Sequence, residues 1–220
     1  MIMKIESELK ARFPDLITLI VQINDVKVQK RDDELERFKN EVTKKVKKDY
    51  DIESVKDHPT FRAYRDFFWG IGIDPTKNRP AAEALTRRIL AGKKLPAINT
   101  FVDVYNLASI NTGIALASFD SDKLEGDILM RFAEEGEQIL AIGMEKPLIL
   151  RGGEIVVSDQ EKLISIYPYR DANNTKVTEE TRNVTVLVCG VPGIQKETLN
   201  TASVVAHQFI TRFCGGQKRI

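Results

Sequence analysis

KKLPAINTFVDVYNLASINTGIALASFD, residues 93–120, is the stretch where polar side chains repeatedly interrupt an apolar helical pattern. Pro96 ends the preceding element and Gly113 offers a left-handed stop, so we predict one helix over residues 99–112. Thr100 and Asp103 have the spacing of a capping box, with Asp in place of the usual Glu or Gln. We expect the rest of the fold to be organised around this helix.

One face of the predicted helix carries polar groups. Asn99, Asp103 and Asn106 follow one another at spacings of four and three residues, which stacks them on one side. The simpler interpretation is that Asn99 caps the helix and that the other two side chains contact water. Tyr105 and neighbouring aliphatic residues flank this face, however, and would bury part of it. A buried amide requires a hydrogen-bond partner, so the face is also a candidate site.

The composition is that of an ordinary soluble protein. The 220 residues are 42% hydrophobic and 30% charged, with a net charge of +1, so a polyanion would have to bind a local basic patch. Neither a signal peptide nor a membrane-spanning stretch is evident, and we expect a cytoplasmic protein with reduced cysteines. Two histidines exclude a histidine-rich metal site. The glycine-rich motifs of phosphate loops and dinucleotide-binding turns are also absent, so we expect no metal and no cofactor.

The flanking segments predict an α+β fold, with a mixed, mostly antiparallel β core, packed helices and an N-terminal helical region. A strand is expected at 16–23, and short strands follow Gly113 up to residue 188, with Gly152-Gly153 as a hairpin signal. Helices are expected at 32–50, 57–69, 78–92 with Asn78 as its N-cap, and 199–213. We divide the chain into an N-terminal region, 1–71, packed on a domain of residues 72–220.

Basic residues cluster directly before the central helix, where they could hold the phosphates of a substrate. An alternative is that they complement the negative C-terminal end of the preceding helix, which explains Arg87 and Arg88 better than Lys93 and Lys94. The candidate RNA-binding residues are Arg79, Arg87, Arg88, Lys93 and Lys94.

Several short motifs occur in a recognisable order. They are LPAIN at 95–99, VD at 102–103 followed by Asn106, SFD at 118–120, LEG at 124–126, RFA at 131–133 and GE at 136–137. This set resembles the B3/B4 domain of the β subunit of phenylalanyl-tRNA synthetase, the editing domain of that enzyme. The resemblance runs from about residue 72 to about residue 190 and implies a freestanding relative of the domain.

The resemblance implies hydrolysis of the ester between a wrong amino acid and the terminal ribose of a tRNA. Such an ester is already activated, so the enzyme has to position water and the carbonyl group without supplying a strong nucleophile. On this hypothesis Asn99 and Asn106 orient substrate or water. Asp103 either contacts the α-ammonium group or fixes the start of the helix. The expected partner is mischarged tRNA, and the oligomeric state stays open.

The candidate substrate-binding residues include two departures from the family. Ala117 stands where the family has a histidine, and Cys189 stands nearest to a glutamate that reads a tyrosine hydroxyl. Tyrosine specificity is therefore not expected, and a smaller residue such as serine is conceivable. Tyr167 and Asp171 are further candidates for lining the substrate pocket where the family's glutamate is missing. The remaining candidates, for which turn or strand-end roles are the alternative, are Tyr105, Asp120, Glu137, Tyr169 and Arg170.

Two other functions stay open at this stage. The chain could be a noncatalytic module that binds tRNA or another RNA through its basic cluster. It could also be a protein that binds a free amino acid or metabolite in a pocket without any RNA.

Overall fold

A computed structural model describes residues 2–218 of the chain. Within that range the helices are α1 (Ser7–Arg12), α2 (Asp33–Asp49), α3 (Pro59–Gly70), α4 (Ala81–Leu90), α5 (Thr100–Thr112) and α6 (Lys196–Cys214). The strands are β1 (Met3–Ile5), β2 (Thr18–Asn24), β3 (Ala115–Asp120), β4 (Ile128–Phe132), β5 (Glu135–Ile139), β6 (Leu148–Arg151), β7 (Ile155–Ser158), β8 (Leu163–Ile166), β9 (Arg170–Asp171), β10 (Val184–Cys189) and β11 (Gln217–Lys218).

The strands form two larger sheets and a two-stranded ribbon. The first sheet has the order β1-β4-β7-β8-β9, the second has the order β11-β2-β10-β3, and the ribbon is β5-β6. Every pair is antiparallel except β1 with β4. The predicted α+β fold with a mostly antiparallel β core is confirmed.

The second sheet carries the central helices. Every residue of β3 and β10 is buried, and both strands are mostly apolar, with Ser118, Asp120 and Thr185 as their polar members. Helix α6 packs against α5 and against β2 and β10. The predicted strand in the N-terminal region is confirmed as β2, which lies between β10 and β11. The boundary that we drew near residue 72 stays a prediction.

Helix α5 begins and ends through local signals, but the capping box predicted for its first turn is wrong. The Asn99 side chain is the cap, because its Oδ1 accepts the Val102 N–H at 2.9 Å. The Thr100 hydroxyl instead accepts the N–H of Gln29, in the segment after β2. At the other end Gly113 has the predicted left-handed conformation, with φ of 73°.

Two further turn predictions are corrected. Helix α4 begins after Pro80, which occupies the N-cap position that we predicted for Asn78. The Gly152-Gly153 pair does not close a hairpin, because β6 pairs with β5 while β7 pairs with β4 and β8. A tight glycine turn is a local signal, whereas the choice of partner strand depends on packing across the whole sheet.

Candidate functional site

The first turn of α5 is anchored by a buried ion pair. Asp103 Oδ2 lies 2.6 Å from the Lys39 ammonium of α2, and Asp103 Oδ1 accepts the Ile98 N–H at 3.0 Å. Lys39 also lies 2.6 Å from the carboxylate of Glu36. Both oxygens of Asp103 are thus occupied by the protein, and this geometry fixes the start of the helix.

The electrostatics around Lys39 favour its charged state. Burial alone would lower the pKa of Lys39, but the hydrogen bonds and negative charges of Asp103 and Glu36 outweigh it and raise that pKa. The side chains of Lys39 and Asp103 are only 9% and 5% exposed. The pair therefore joins α2 to α5 through a charge-assisted contact that is largely withdrawn from water.

The middle of the same helix differs from its start. Asn106 is half-buried, and among residues 2–218 its side-chain amide has no hydrogen-bond partner. Next to it, Tyr105 interacts with the side chain of Ser118 on β3. An unpaired amide at the edge of the interior is able to bind a ligand or a water molecule.

A second carboxylate, that of Asp171, lies where the two large sheets meet. Strand β9 is the last strand of the first sheet, and β3 is the last strand of the second. Asp171 faces Ser165 across the β8–β9 pair, and both Ser165 and the backbone of Ser118 lie near enough to its carboxylate to lower the pKa of that group in part. An edge strand such as β3 has N–H groups free for this purpose.

Five residues from five elements meet at this junction, which we call the seam. They are Tyr105 of α5, Ser118 of β3, Ser165 of β8, Asp171 of β9 and Cys189 of β10. The backbone of Asp171 is held on its other side as well, because its carbonyl accepts the Ile142 N–H at 2.9 Å. The seam is therefore built from fixed elements and not from a loose loop.

Burial controls the chemistry of the seam. It raises the pKa of Asp171 to about 7, although the hydrogen bonds from Ser165 and Ser118 oppose the change. Burial, followed by the nearby Asp171 charge, also raises the pKa values of Tyr105 and Cys189, so both stay neutral near pH 7. A neutral, buried Cys189 is a poor nucleophile.

The predicted substrate-binding residues divide into two groups. Tyr105 and Cys189 belong to the seam, and the Cys189 thiol donates to the Leu187 carbonyl at 3.6 Å, while Ala117 is buried on the neighbouring strand β3. Sequence reasoning thus found part of this cluster. It did not name Ser118 or Ser165 as site residues, because no local pattern marks a serine that faces a neighbouring sheet. It named Asp171 only as a further candidate for the substrate pocket.

The other predicted substrate-binding residues have protein partners. Asp120 caps the turn after β3 and accepts the Thr181 hydroxyl at 2.7 Å. Glu137 forms a two-pronged ion pair with Arg131, at 2.6 and 2.8 Å. These contacts are those of residues that hold turns and strands in place.

Tyr169 and Arg170 stack on each other next to the seam. The Arg170 guanidinium lies 5.7 Å from the centre of the Tyr169 ring and also contacts the Met144 sulfur. Tyr169 packs against Phe68 of α3. Arg170 is therefore engaged with the ribbon side of the strand and not with Asp171, its neighbour in sequence.

The predicted RNA-binding residues are largely brought together by the fold. A surface cavity of about 480 Å³ beside α4 is lined by five cations, namely Lys77, Arg79, Arg87, Arg88 and Lys93. We call it the cationic pocket. Arg87 is paired with the buried Glu83, whereas Arg79 and Lys93 form no ion pair within residues 2–218. Lys94 lines two neighbouring cavities on the α2 side.

Two further features are absent from the described part of the chain, a metal-binding group of side chains and a membrane-spanning helix. No group of three or more His, Cys, Asp or Glu side chains within residues 2–218 is arranged to hold a metal ion. No helix in the same range is long and apolar enough to cross a membrane.

Comparison with known proteins places these features in a family. The family model described as "B3/4 domain" matches residues 63–215. Among curated proteins, the β subunit of phenylalanine–tRNA ligase from Fusobacterium nucleatum is 34% identical over 122 residues, which is 55% of this chain and 15% of that protein. The same subunit from Synechocystis is 30% identical over 157 residues, 68% of this chain and 19% of that protein. The chain thus spans less than a fifth of these relatives.

A solved structure extends the likeness at the level of the fold. An N-terminal fragment of the phenylalanyl-tRNA synthetase β subunit from Pyrococcus horikoshii superposes with a TM-score of 0.52 at 14% identity. The match covers 99% of this chain and 50% of that fragment. At such low identity this likeness concerns the fold alone.

Proposed function

Because the chain belongs to the B3/4 domain family, we propose that it is a freestanding editing hydrolase, which removes the amino acid from mischarged tRNA in trans in the cytoplasm. The observation that carries this proposal is the overlap between the family match and the seam. Residues 63–215 include α5, β3, β8, β9 and β10, which supply every side chain of the seam and the unpaired amide of Asn106. In the family that the sequence resembles, this domain is the editing module.

The proposed reaction needs positioning more than it needs a nucleophile. Water adds to the carbonyl carbon of the aminoacyl ester, the bond to the ribose oxygen breaks, and a free amino acid and an intact tRNA hydroxyl result. Negative charge develops on the carbonyl oxygen, so hydrogen-bond donors fixed around it lower the barrier. The half-buried amide of Asn106 is suited to this role, because the protein does not occupy it.

We assign the other two polar residues of α5 to support. Asn99 holds the first turn as its cap, and Asp103 is held by Lys39 and the Ile98 N–H. Loss of either would act on the reaction by moving the helix and not by removing a contact with substrate.

The tRNA would be held at the cationic pocket. Arg79 and Lys93 are exposed and unpaired within the described range, so each is available to a phosphate. Phosphate contacts of this kind make binding strongly dependent on salt. The pocket also favours a second candidate function, a tRNA-binding module without catalysis.

A deacylation assay with the purified chain tests the proposal. Against a panel of misacylated tRNAs, we expect hydrolysis of at least one above the spontaneous rate. Asn106→Ala should slow that hydrolysis by about 10- to 100-fold, as expected for loss of one fixed donor at a developing oxyanion. Asn111→Ala removes an amide from the last turn of the same helix and serves as the matched control, with an unchanged rate.

The result that would reject the hydrolase is the absence of turnover across the full panel. If tRNA still bound and its affinity fell steeply with salt, the noncatalytic module would be the better description. Equal thermal melting temperatures of Asn106→Ala and the parent chain are required before a slower rate is attributed to the missing amide.

A further inference from the structure

We propose that the N-terminal region extends the cationic pocket into a groove that binds the RNA backbone leading to the 3′ end of the substrate tRNA. The inference rests on the proposed function, and it assigns a role to residues outside the family match of residues 63–215. The exposed cations that this region contributes are Lys30 and Arg31, in the segment after β2, and Lys47 of α2.

The groove consists of three surface cavities that share lining residues. The cationic pocket is the first, and Lys93 lines both this pocket and a second cavity of about 400 Å³, between α2 and the segment after α4. Lys94 and Ala97 line both the second cavity and a third, of about 520 Å³. Because neighbouring cavities have common walls, they form one path along residues 91–98, and an extended molecule can occupy all three.

Cations predominate along this path, although the chain as a whole carries a net charge of only +1. The second cavity is lined by four lysines and one glutamate, and the third by three cations and two carboxylates. Those carboxylates, Glu36 and Asp103, each lie 2.6 Å from the Lys39 ammonium. Their charge is therefore partly compensated within the protein, and the other lysines give the groove an excess of positive charge.

The lysines of the groove are available to a polyanion. Lys30, Lys47, Lys93 and Lys94 are exposed, and none of them forms an ion pair with another residue between positions 2 and 218. A lysine ammonium binds phosphate as a point charge on a flexible stem. Such groups suit a nucleic-acid backbone, which presents negative charges at regular intervals.

The far end of the groove meets the first turn of α5. Ile98 and Asp103 line the third cavity, and the Asp103 carboxylate is fixed there by Lys39 and the Ile98 N–H. Asn106 follows Asp103 by three residues on the same side of the helix, a rise of about 4.5 Å. A strand that runs toward the third cavity therefore ends near the amide assigned to the reaction. The occupant that fits is the single strand that carries the 3′ terminus of a tRNA.

The lining of the groove favours RNA over an acidic protein. No aromatic side chain of the described residues lines the three cavities, and the exposed large apolar side chains in them are Ile52 and Ile98, in the first and the third. Protein–protein interfaces are depleted of charge and enriched in aromatic residues at their centre. Interfaces with nucleic acids are polar and strongly basic. Without aromatic platforms for the bases, the groove binds the backbone and not a particular sequence.

Fluorescence anisotropy with the full chain and an unacylated tRNA transcript tests this assignment. Lys30→Ala/Lys47→Ala removes two exposed cations from the groove, and Lys27→Ala/Lys45→Ala removes two from the same segments but outside the three cavities. At 0.1 M salt the first variant should bind on the order of tenfold more weakly than the parent, and the control about as tightly. The slope of log affinity against log salt should become shallower by about 1.4 in the first variant, from about 0.7 for each lost contact with a single strand.

The second probe is the same tRNA without its single-stranded 3′ end. The parent chain should bind this truncated tRNA about tenfold more weakly than intact tRNA, because the contacts in the groove are lost. Lys30→Ala/Lys47→Ala should bind the two RNAs within about twofold of each other, because the truncation and the substitutions remove the same contacts. Equal thermal melting temperatures of the variants and the parent are required for both comparisons.

The outcomes separate the groove from the hydrolase. If Lys30→Ala/Lys47→Ala binds tRNA as the parent does while the parent deacylates mischarged tRNA, the inference is wrong and the hydrolase stands. If affinity falls as expected but no tRNA of the panel is deacylated, the groove stands and the hydrolase is wrong. Equal losses in the groove variant and the control would indicate a diffuse charge effect and overturn the inference. Weaker binding of polyglutamate with unchanged tRNA affinity would also overturn it, in favour of an acidic protein partner.

Discussion

The first turn of α5 contains the buried carboxylate of Asp103 and the seam contains the half-buried carboxylate of Asp171, and only the first of the two is paired with a cation among the described residues. Asp103 lies 2.6 Å from the Lys39 ammonium, whereas Asp171 has only neutral donors around it. Asp103 is therefore complete within the protein, and Asp171 is not. The comparison shows that burial by itself does not mark a carboxylate as a site, because the protein can pair a buried carboxylate with its own cation.

The largest expected effect on stability comes from removing the cation that pairs with Asp103. Lys39→Met leaves Asp103 buried without its cation, which should reduce the free energy of unfolding by about 3 kcal/mol at pH 7. Urea denaturation measures this change. Lys45→Met, which alters an exposed lysine of the same helix, is the control and should change stability by less than about 0.5 kcal/mol. A loss of similar size in both variants would contradict the difference that we draw between Asp103 and Asp171.

A smaller effect of opposite sign is expected at Asp171. Its pKa in the folded protein, about 7, lies above the ordinary value of 3.8, so the folded state holds a proton that the unfolded chain has already lost. Stability is then lost as the pH rises from about 4 to about 7. Asp171→Asn removes this loss and should stabilise the protein by about 2 kcal/mol at pH 8, with little difference at pH 4.

Urea denaturation of both proteins across that pH range gives the test. A destabilised Asp171→Asn variant at pH 8 would mean that the folded protein already neutralises the carboxylate. The same outcome would remove the contrast between the two carboxylates.

The smallest effect belongs to Glu137, a third carboxylate with an intermediate environment. It is 24% exposed and paired with Arg131, whose hydrogen bond lowers the pKa of Glu137 more than partial burial raises it. This stabilisation is present above the ordinary carboxyl pKa and is lost as the pH falls through the lowered value. Glu137→Gln should cost less than about 1 kcal/mol at pH 7, because solvent screens a pair of this exposure.

The free energy of unfolding of the same variant should also be measured at pH 3. Its difference from that of the parent chain should be smaller there than at pH 7. A cost at pH 7 as large as that of Lys39→Met would show that exposure does not separate these pairs as we describe.

Much of the fold could be predicted because its signals are local. The start and the end of α5 follow from an amide cap and a glycine, each within a few residues of the helix. The apolar runs of β3 and β10 similarly identify buried strands. The hairpin at Gly152-Gly153 was mispredicted for the complementary reason, because the partners of β6 and β7 lie elsewhere in the chain.

The candidate site could be predicted only in part. The polar face of α5 and the basic residues before it follow from spacing and composition. Spacing and composition could not predict which of these polar side chains already have hydrogen-bond or ion-pair partners within the protein. Thr181 and Asp120 are 61 positions apart in the chain, and neither residue signals the other.

The sequence by itself determined the elements, the α+β class and the family, because caps, apolar periodicity and ordered short motifs act within one segment of chain. Only the tertiary structure decided which carboxylate is paired with a cation. Lys39 reaches Asp103 across 64 positions, while Asp171 meets Ser118 and Tyr105 because two sheet edges adjoin. A charge in the interior is stabilised or left open by what folding brings beside it, and that depends on contacts between segments that are distant in the sequence.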